Sequence, residues 1–508
     1  MKKLLLLCLP FVANVALAQK DENAVKYAAL ITPKALKEKL TILASAEMEG
    51  RETGTPGQKR AAAWIEGEFK RMGLKPGNGD SYQQIYPLYA DVITDKKLSV
   101  NGKQFTFDKD YSFTTAVPAG TWNVNNVVFA GYGIVDSAKG IDDYKGLDVR
   151  GKVVVVVDGG TAPAAGGPGG GRGGFGINPK QAAATTRGAV ALLTVSSAFP
   201  RTVPTPLKGR VSMTKSNATF FTANISAEVA SALLGRTFNI PFADLKDINK
   251  GTYVSELAIV AGKTVENTES SNVIGIIPGT DKKDEYVFMT GHYDHLGKNA
   301  TGIWYGADDD GSGSVGVMQM AEAFVAADKK GIHPRRTLVF MTVSGEEKGL
   351  WGSQYYSEHP IFDLAKTSVD LNTDMIGRGD SSRKADTLNY IYVIGHDKLS
   401  SELAPINESV NKLYDINLAL DYKFDDPKDV NRIYFRSDHY NFARKGVPIL
   451  FFYDGMLGAD YHKQTDTVDK IQFDVMSRRA KLVFHTGWVI ANRDAMMKRD
   501  TPLNMPSR

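Results

Sequence analysis

The stretch Tyr286-Val287-Phe288-Met289-Thr290-Gly291-His292-Tyr293-Asp294-His295 begins as an apolar run and ends in imidazole and carboxylate side chains. Its first five residues predict a buried strand. Outward from it, apolar runs at 273–277, 337–343, 368–374, 388–394 and 448–453 alternate with helical patterns at 312–327, 400–414 and 474–497. Strands that alternate with helices build largely parallel sheets covered by helices. The sequence therefore predicts an α/β fold with a mixed, largely parallel sheet flanked by helices.

Acidic and imidazole side chains stand where the predicted strands end, which is where open α/β sheets build their sites. They are His292, the triplet Asp308-Asp309-Asp310, the pair Glu346-Glu347, Asp374 and His462. A helix cap explains one aspartate of the triplet but not three, and consecutive acids do not fit an EF-hand. Each position alone is typical of a cap or a surface charge. Together, two histidines and several carboxylates without cysteine favour zinc, and two ions can share a bridging carboxylate.

The composition is that of a folded globular protein: 508 residues, 43% hydrophobic and 23% charged. This length predicts about two to four structural units. The 61 basic residues nearly balance the 57 acidic residues, and no run of lysine and arginine is dense enough to follow a phosphate backbone. Nucleic acid is therefore not expected as a partner.

The first 18 residues resemble a secretory signal peptide, with Lys2 and Lys3 before an apolar run and Ala16-Leu17-Ala18 at its end. A membrane anchor needs about 20 apolar residues, and this run is shorter and is broken by Pro10. We therefore expect an exported protein, periplasmic or secreted. Cys8 is the single cysteine and lies within residues 1–18, so no disulfide is expected after cleavage. No later segment reaches spanning length without charges, which predicts a mature chain without a membrane span.

Two further regions differ in character from the α/β part. Helical patterns cover 33–72, whereas 91–267 consists mainly of short predicted strands and turns, a separate β-rich unit. Within it, residues 166–176 are almost all glycine. This segment lacks the Gly-Lys-Ser/Thr ending of a phosphate loop, so we interpret it as a flexible loop.

The motifs from His292 to His462 resemble, in content and order, those of the M28 family of zinc aminopeptidases and related peptidases. The resemblance covers about 271–470 closely and extends to the segment 49–57, Glu-Gly-Arg-Glu-Thr-Gly-Thr-Pro-Gly. The stretches 127–134 and 151–156 resemble a protease-associated (PA) domain. The resemblance implies a zinc exopeptidase fold, with a discontinuous peptidase domain at 19–90 and 268–508 and an inserted PA-like domain at 91–267.

Carried over residue by residue, the resemblance implies a site with two zinc ions per chain. His292 and Asp374 are expected to bind one ion, Glu347 and His462 the other, and Asp309 both. Glu346 is expected to be the general base. Asp294 is expected to fix the ring of His292, and Tyr461 to donate a hydrogen bond to the oxyanion. Asp308 and Asp310 are expected to support Asp309 locally, and a cis peptide bond between Asp309 and Asp310 is a further family trait. The segment 436–440 resembles a family segment near the substrate pocket, but a polar turn explains it equally well.

The resulting functional hypothesis is an exported exopeptidase with two zinc ions that acts on peptide substrates and releases N-terminal residues. A carboxypeptidase, a dipeptidase or a glutaminyl-cyclase-like enzyme of the same fold remains an alternative, because these enzymes share most of the metal motifs. A non-catalytic binding protein on the same scaffold would be expected to lack some of these ligands. The sequence leaves side-chain preference and oligomeric state open.

Overall fold

The computed structural model describes residues 20–160, 178–384 and 388–505. The predicted signal peptide and the glycine-rich segment 166–176 lie outside the described residues. The chain divides into two compact units, one formed by the described residues up to Tyr86 together with those from Glu269 onward, and the other by Pro87–Thr268. Each unit is described by itself below.

The first unit begins with helices that start and stop at clear sequence signals. They are α1 (Glu22–Ala28), α2 (Pro33–Leu43) and α3 (Pro56–Met72), followed by the two-residue strand β1 (Lys75–Pro76). The Thr55 hydroxyl caps α3 by accepting a hydrogen bond from the Gln58 amide, and Pro56 occupies the first turn. Gly73 ends the helix with φ of 99°, a conformation that favours glycine.

The strand β2 (Gln83–Val100) leads into the second unit, which is rich in strands, as predicted. Its further elements are β3 (Lys103–Phe105), β4 (Tyr111–Ser112), β5 (Gly120–Phe129), β6 (Val135–Asp136), β7 (Ile141–Asp142), β8 (Val153–Val157), α4 (Pro179–Thr186), β9 (Ala191–Val195), β10 (Phe221–Ile225), α5 (Ala227–Leu233) and the first part of β11 (Gly251–Ile277). Strands β5, β8, β9 and β10 lie side by side in parallel. The expectation of mainly short strands missed the long strands β2 and β11 and both helices.

The rest of the first unit alternates strands and helices. After the end of β11 come β12 (Lys282–His292), β13 (Lys298–Asn299), β14 (Gly302–Ile303), α6 (Gly313–Asp328), β15 (Arg336–Val343), α7 (Trp351–Glu358), β16 (Thr367–Thr373), β17 (Tyr390–Ile394), α8 (Leu403–Leu413), β18 (Ala419–Asp421), α9 (His439–Ala443), β19 (Ile449–Tyr453) and α10 (Phe473–Asn492). The sheet order is β18-β17-β19-β16-β12-β15-β11. Strands β19, β16, β12 and β15 are parallel neighbours. At the two ends of this group, β11 pairs antiparallel with β15, and β17 pairs antiparallel with β19. The predicted mixed, largely parallel sheet is confirmed.

Both faces of this sheet are buried, which explains the unbroken apolar runs of its strands. Val287 and Met289 of β12 point into one core with residues of α6 and α10, and Phe288 points into a second core on the other face with residues of α7 and α9. Within the described residues, no helix has both the length and the apolar character needed to cross a bilayer.

Helix α10 ends at Asn492, whereas the helical pattern predicted continuation to 497. The buried guanidinium of Arg336 donates hydrogen bonds to the carbonyl oxygens of Ile490 and Arg493. These acceptors at the helix end are therefore satisfied by a side chain, and the chain leaves the helix there.

Candidate metal centre

The central strands carry the first two predicted ligands to one edge of the sheet. His292 is the last residue of β12 and lies opposite Val343 of the parallel strand β15. Asp374 directly follows β16, the neighbour of β12 on its other side. Because the carboxyl ends of parallel strands meet at one edge, these side chains converge, and both residues are buried.

Asp309 lies in the irregular turn Ala307–Ser312 that precedes α6. The peptide bond between Asp309 and Asp310 is cis, as predicted from the resemblance. The Asp310 carboxylate accepts hydrogen bonds from the backbone amides of His292, Gly313 and Met375. Asp310 thus ties the turn to the ends of both ligand-bearing strands.

Glu346 and Glu347 follow the end of β15 in a short 3-10 turn. Gly345 begins this turn with φ of 79°, and an added Cβ would lie 2.8 Å from both the Trp351 Cβ and the Tyr86 hydroxyl. A glycine is therefore required here on two grounds, conformation and space. The turn allows both carboxylates to reach the same region, as expected from the sequence.

His462 and Tyr461 belong to the connection between β19 and α10. His462 adopts φ of 57°, and its Nε2 points toward Asp309 and Glu347. Tyr461 lines a pocket with three acidic residues, Asp309, Glu346 and Asp374. The rest of that pocket is formed by Met375, Ile433, Arg436, Phe451, Tyr453 and Leu457. All eight predicted site residues therefore lie in one region of the first unit.

The distances divide the ligands into two groups that share one carboxylate. In the first group, the His292 Nε2 lies 3.4 Å from the Asp309 Oδ1 and 3.6 Å from the Asp374 Oδ1. In the second group, the His462 Nε2 lies 2.9 Å from the Asp309 Oδ2 and 3.1 Å from the Glu347 Oε1. Ligand atoms about 2.0–2.2 Å from a tetrahedral zinc ion are about 3.3–3.6 Å apart. The distances in the first group fall in this range, and those in the second group are a few tenths of an ångström shorter.

The electrostatics of the cluster call for added positive charge. Burial, together with the Glu347 carboxylate, raises the pKa of Asp309 to about 6. Burial likewise raises the pKa of Glu346, with Glu347 and Asp374 adding repulsion. Although burial opposes a charged ring, Asp374 and Glu346 raise the pKa of His292. The buried His292 Nε2 makes no hydrogen bond to any described residue. The donor set and its charge therefore fit a pair of divalent cations.

Asp294 holds the His292 ring mainly through its backbone. The His292 Nδ1 lies 3.1 Å from the Asp294 carbonyl oxygen and 3.7 Å from its carboxylate. A proton on Nδ1 is thus directed to the carbonyl, which leaves the Nε2 lone pair facing the ligand group. The carboxylate instead accepts hydrogen bonds from the Thr53 hydroxyl, at 2.6 Å, and from the Glu346 amide.

Arg51, within the N-terminal motif, is a supporting residue to which the sequence analysis assigned no role. Its fully buried guanidinium donates hydrogen bonds to the carbonyl oxygens of Leu43, Tyr293, Tyr305 and Gly306. Burial lowers its pKa to about 10, against the attraction of nearby aspartates such as Asp294, so it stays charged at neutral pH. These hydrogen bonds connect Arg51 to the loop after His292 and to the loop before Asp309. They give the segment 49–57 a structural role beside the ligand motifs.

Two other contributors were also missed. Asp466 accepts hydrogen bonds from the backbone amides of Asp308 and Asp309, and His295 places its Nδ1 3.0 Å from the Glu347 Oε1. Asp466 lies four residues after His462, and His295 lies three residues after His292. Their position beside predicted ligands was the available signal.

A further cluster of possible ligands, His396, Asp397 and Asp425, lies away from this region. The Lys398 ammonium group lies 2.6 Å from the Asp397 carboxylate and 3.3 Å from that of Asp425. The Asp425 carboxylate also accepts hydrogen bonds from the amides of Gly395 and His396. The Lys398 ammonium group therefore supplies a positive charge to this cluster.

The sequence model of peptidase family M28 matches residues 272–487, which include every predicted ligand. This segment of the chain belongs to peptidase family M28. A probable leucine aminopeptidase from Trichophyton verrucosum (strain HKI 0517) is 30% identical over 225 residues, covering 43% of this chain and 57% of that protein. Leupeptin-inactivating enzyme 1 from Streptomyces exfoliatus is 32% identical over 200 residues, covering 39% of this chain and 38% of that protein. The matched part of the chain thus spans less than two thirds of either relative.

Solved structures support the fold over most of the chain. An aminopeptidase from Aneurinibacillus sp. strain AM-1 superposes with a TM-score of 0.52 at 20% identity, covering 96% of this chain and 100% of that one. A peptidase M28 precursor from Shewanella amazonensis SB2B gives a TM-score of 0.50 at 19% identity, covering 96% and 100%. At these identities the comparison concerns architecture alone.

Proposed function

We propose that this M28 protein is an exopeptidase with two zinc ions that releases N-terminal residues from peptides. One observation carries the proposal: the two oxygens of the Asp309 carboxylate face different histidines, Oδ1 toward His292 and Oδ2 toward His462. A carboxylate in this position can serve two ions at once.

The residues of the two groups would hold the ions as the resemblance implies. His292 and Asp374 would bind one ion and Glu347 and His462 the other, with Asp309 common to both. When bound, zinc supplies Lewis acidity, which makes water a stronger acid and a peptide carbonyl a better electrophile. The remaining steps belong to side chains of the protein.

Glu346 is placed to move the protons of the reaction. Its carboxylate lines the pocket beside Asp309 and Asp374, and its Oε2 lies 3.8 Å from the His292 Nε2. It would take a proton from the attacking water and pass it to the leaving amine. The raised pKa that burial gives this carboxyl group suits a residue that must hold a proton briefly near neutral pH.

Tyr461 is placed to stabilise the oxyanion. Its ring lines the pocket, and its hydroxyl oxygen accepts a hydrogen bond from the Arg436 Nη2 at 3.0 Å. Because the guanidinium only donates, this contact does not use the tyrosine O–H proton, which we assign to the oxygen of the substrate. This arrangement supports the predicted role of Tyr461 and adds Arg436 as its partner.

The pocket favours an N-terminal substrate. The ions would neutralise Asp309 and Asp374, so Glu346 is the acidic residue of the pocket that would attract a free α-amino group, which is positively charged at neutral pH. The apolar residues Met375, Ile433, Phe451 and Leu457 line the remainder and would accept an apolar first side chain.

A carboxypeptidase or dipeptidase is the second candidate, and Arg436 favours it. Among the described residues, no carboxylate forms an ion pair with this guanidinium, although it lines the pocket. A substrate carboxylate would be a suitable partner for it.

The deciding experiment combines metal analysis with four peptides. The purified protein should contain about two zinc ions per chain, and it should cleave peptides with a free N-terminus whether their C-terminus is free or amidated. Loss of cleavage on acetylation of the N-terminus supports the aminopeptidase. Cleavage that persists on acetylated peptides and requires a free C-terminus would replace it by the carboxypeptidase, and a protein that binds no zinc would contradict both.

We also propose that the interrupted domain arrangement predicted from the sequence holds, with an inserted PA-like domain. The compact units divide at Tyr86/Pro87 and Thr268/Glu269, near the expected limits of 91–267. Hydrogen exchange with and without zinc tests the arrangement. Zinc should slow exchange in 269–505 and leave 87–268 unchanged; equal slowing in both regions would argue against two separate domains.

A further inference from the structure

The apolar part of the candidate pocket is interrupted by two polar side chains, those of Arg436 and Tyr453. A guanidinium group only donates hydrogen bonds, and a tyrosine hydroxyl carries one proton to donate. The apolar residues that line the same pocket are Met375, Ile433, Phe451 and Leu457. A side chain that enters this pocket therefore meets two hydrogen-bond donors besides apolar surface.

The Tyr453 hydroxyl is buried without a partner. The residue is 4% exposed, and its hydroxyl oxygen makes no hydrogen bond to any residue that the structure describes. Its ring stacks on Phe451, with centroids 5.6 Å apart, and packs against Tyr392 and Phe424. These contacts restrict the ring and keep the hydroxyl in one place. Because a buried hydroxyl without a hydrogen bond costs free energy, a ligand atom that accepts its proton would be stabilised there.

The Arg436 guanidinium brings a positive charge to the same pocket. Its Nη2 donates a hydrogen bond to the Tyr461 hydroxyl at 3.0 Å. Although burial opposes the charge, the neighbouring Tyr461 and Tyr453 raise the pKa of Arg436, so the guanidinium is charged at neutral pH. Among the described residues, no carboxylate forms an ion pair with it. A carboxylate supplied by a ligand would fill this place.

The chemistry of the two donors distinguishes between kinds of first side chain. A carboxylate accepts hydrogen bonds from both donors and is attracted by the charge of one. A glutamine side chain has the same size, but it is neutral and half of its end is an NH₂ group that only donates. An apolar side chain leaves both donors without an acceptor, and sites built to form hydrogen bonds discriminate strongly against such ligands. The apolar lining would contact the methylene groups that precede the carboxylate.

We propose that Arg436 and Tyr453 form a subsite for the carboxylate of an acidic first residue, so that the enzyme releases N-terminal glutamate in preference to glutamine or methionine. The inference rests on the proposed function and deepens it by naming the substrate class. It gives the Arg436 guanidinium a carboxylate partner in an aminopeptidase, where the C-terminal carboxylate is not the group recognised.

Peptides that differ only in the first side chain test the proposal. The peptides Glu-Ala-Ala, Gln-Ala-Ala and Met-Ala-Ala have a free N-terminus and an amidated C-terminus, so that a carboxylate can come only from the first side chain. In the zinc-loaded wild type, we expect kcat/KM to be about 10- to 100-fold higher for the glutamate peptide than for the other two, the usual value of hydrogen bonds to a charged group. Arg436→Met and Tyr453→Phe should each lower this ratio toward one. The ratio cancels any loss through Tyr461 that all three peptides share.

Tyr434→Phe is the matched control. Tyr434 is also fully buried, and its hydroxyl makes no hydrogen bond to a described residue, but the side chain does not line the pocket. This variant should keep the wild-type preference for glutamate. A loss as large as that in Tyr453→Phe would assign the effect to packing and overturn the subsite.

The outcomes separate this inference from the proposed function. Equal kcat/KM for the three peptides in the wild type, or a glutamate preference unchanged in both pocket variants, overturns the subsite while cleavage at a free N-terminus still supports the function. The wild-type ratio decides the matter even if a variant does not fold. Cleavage that requires a free C-terminus would assign Arg436 to that carboxylate and overturn both the subsite and the aminopeptidase, as would a zinc-loaded wild type that cleaves none of the peptides.

Discussion

The two ligand groups that share Asp309 are built on different kinds of structure. In the first, His292 ends β12 and Asp374 follows β16, adjacent parallel strands buried on both faces. In the second, Glu347 and His462 stand on turns, one begun by Gly345 with φ of 79° and the other formed at His462 itself, with φ of 57°. The sheet aligns the backbone of the first group, whereas turns carry the backbone of the second.

This difference predicts unequal zinc sites. Ligands on rigid elements are held closer to their working geometry than ligands on turns. We expect the first group to bind zinc more tightly and the second to depend more on supporting residues. The predictions below test this contrast, beginning with the largest expected effect.

The largest effect is expected at Glu346, the proposed acid and base, which belongs to neither ligand group. Glu346→Gln should keep both zinc ions and lose about 10²- to 10⁴-fold in kcat, the usual cost of removing a positioned acid or base. Zinc content and turnover of one preparation are measured together. Glu347→Gln is the control, and it should lose zinc from the second group as well as activity. Full turnover in a zinc-loaded Glu346→Gln protein would contradict the role.

Arg51→Met should destabilise the support common to both groups. It removes the guanidinium donor from four carbonyl oxygens, of which Gly306 keeps the Gly311 amide as a second donor and Tyr305 is only partly buried. Because each buried acceptor left unsatisfied costs about 1–3 kcal/mol before relaxation, we expect a total loss of about 3 kcal/mol. Urea unfolding measures the loss. Arg60→Met, in which the arginine is half exposed and pairs with Glu49, should cost less than about 1 kcal/mol. Equal losses in both variants would refute a special role for Arg51.

Thr53→Val should weaken the first group selectively. The change removes the 2.6 Å hydrogen bond to the Asp294 carboxylate without changing the side-chain shape much, and loss of such outer contacts costs about 10- to 100-fold in metal affinity. The effect should lie at the low end of that range, because the sheet still aligns His292. Chelator competition measures it. Thr55→Val, which removes the cap of α3 and the hydrogen bond from the Thr55 hydroxyl to the Glu52 carbonyl oxygen, should leave both zinc constants unchanged.

The last prediction concerns the pH dependence of stability and not zinc binding or turnover, and it lies in the strand beneath the first group. Burial raises the pKa of Asp370 in β16 to about 8. The Thr290 hydroxyl lies 2.8 Å from its carboxylate and 2.9 Å from the Asn372 side-chain oxygen. One hydroxyl proton cannot serve both oxygens, so a protonated Asp370 donating to Thr290 completes the network.

Asp370 should therefore make the protein less stable as pH rises. The folded state holds this proton more tightly than the unfolded state, whose pKa is about 3.9, so stability falls from about pH 4 to pH 8 by at most about 1.4 kcal/mol per pH unit. Asp370→Asn should remove this slope. Denaturant unfolding at pH 5, 6 and 7 in the absence of zinc measures it, and parallel profiles for wild type and variant would rule it out.

The central strands could be predicted because they are buried on both faces. A strand such as β12 then reads as a continuous apolar run, and the polar residue at its end stands out, as His292 does. The same reasoning located Asp374 and the pair Glu346-Glu347. It could not show that the Asp294 carbonyl holds the His292 ring, since a backbone acceptor leaves no trace in residue identity.

The residues that escaped prediction act through contacts distant in sequence. Arg51 reaches the carbonyl oxygen of Tyr293, 242 residues away. The His295 ring lies beside the Glu347 carboxylate, which belongs to a different loop. The end of α10 depends on a hydrogen bond from Arg336. The hydrophobic periodicity of a segment indicates which of its faces is buried, but not which distant residue it contacts.

The sequence by itself determined the succession of strands and helices, the residue types at the strand ends and the family motifs. These follow from local burial and turn chemistry, which each segment carries in its own composition. Only the tertiary structure decided that β19, β16, β12 and β15 lie side by side. This arrangement brings residues that follow the carboxyl ends of separate strands into two groups around one carboxylate. Strand order depends on non-local pairing and packing over the whole chain, and the geometry of a shared metal site exists only after that pairing is complete.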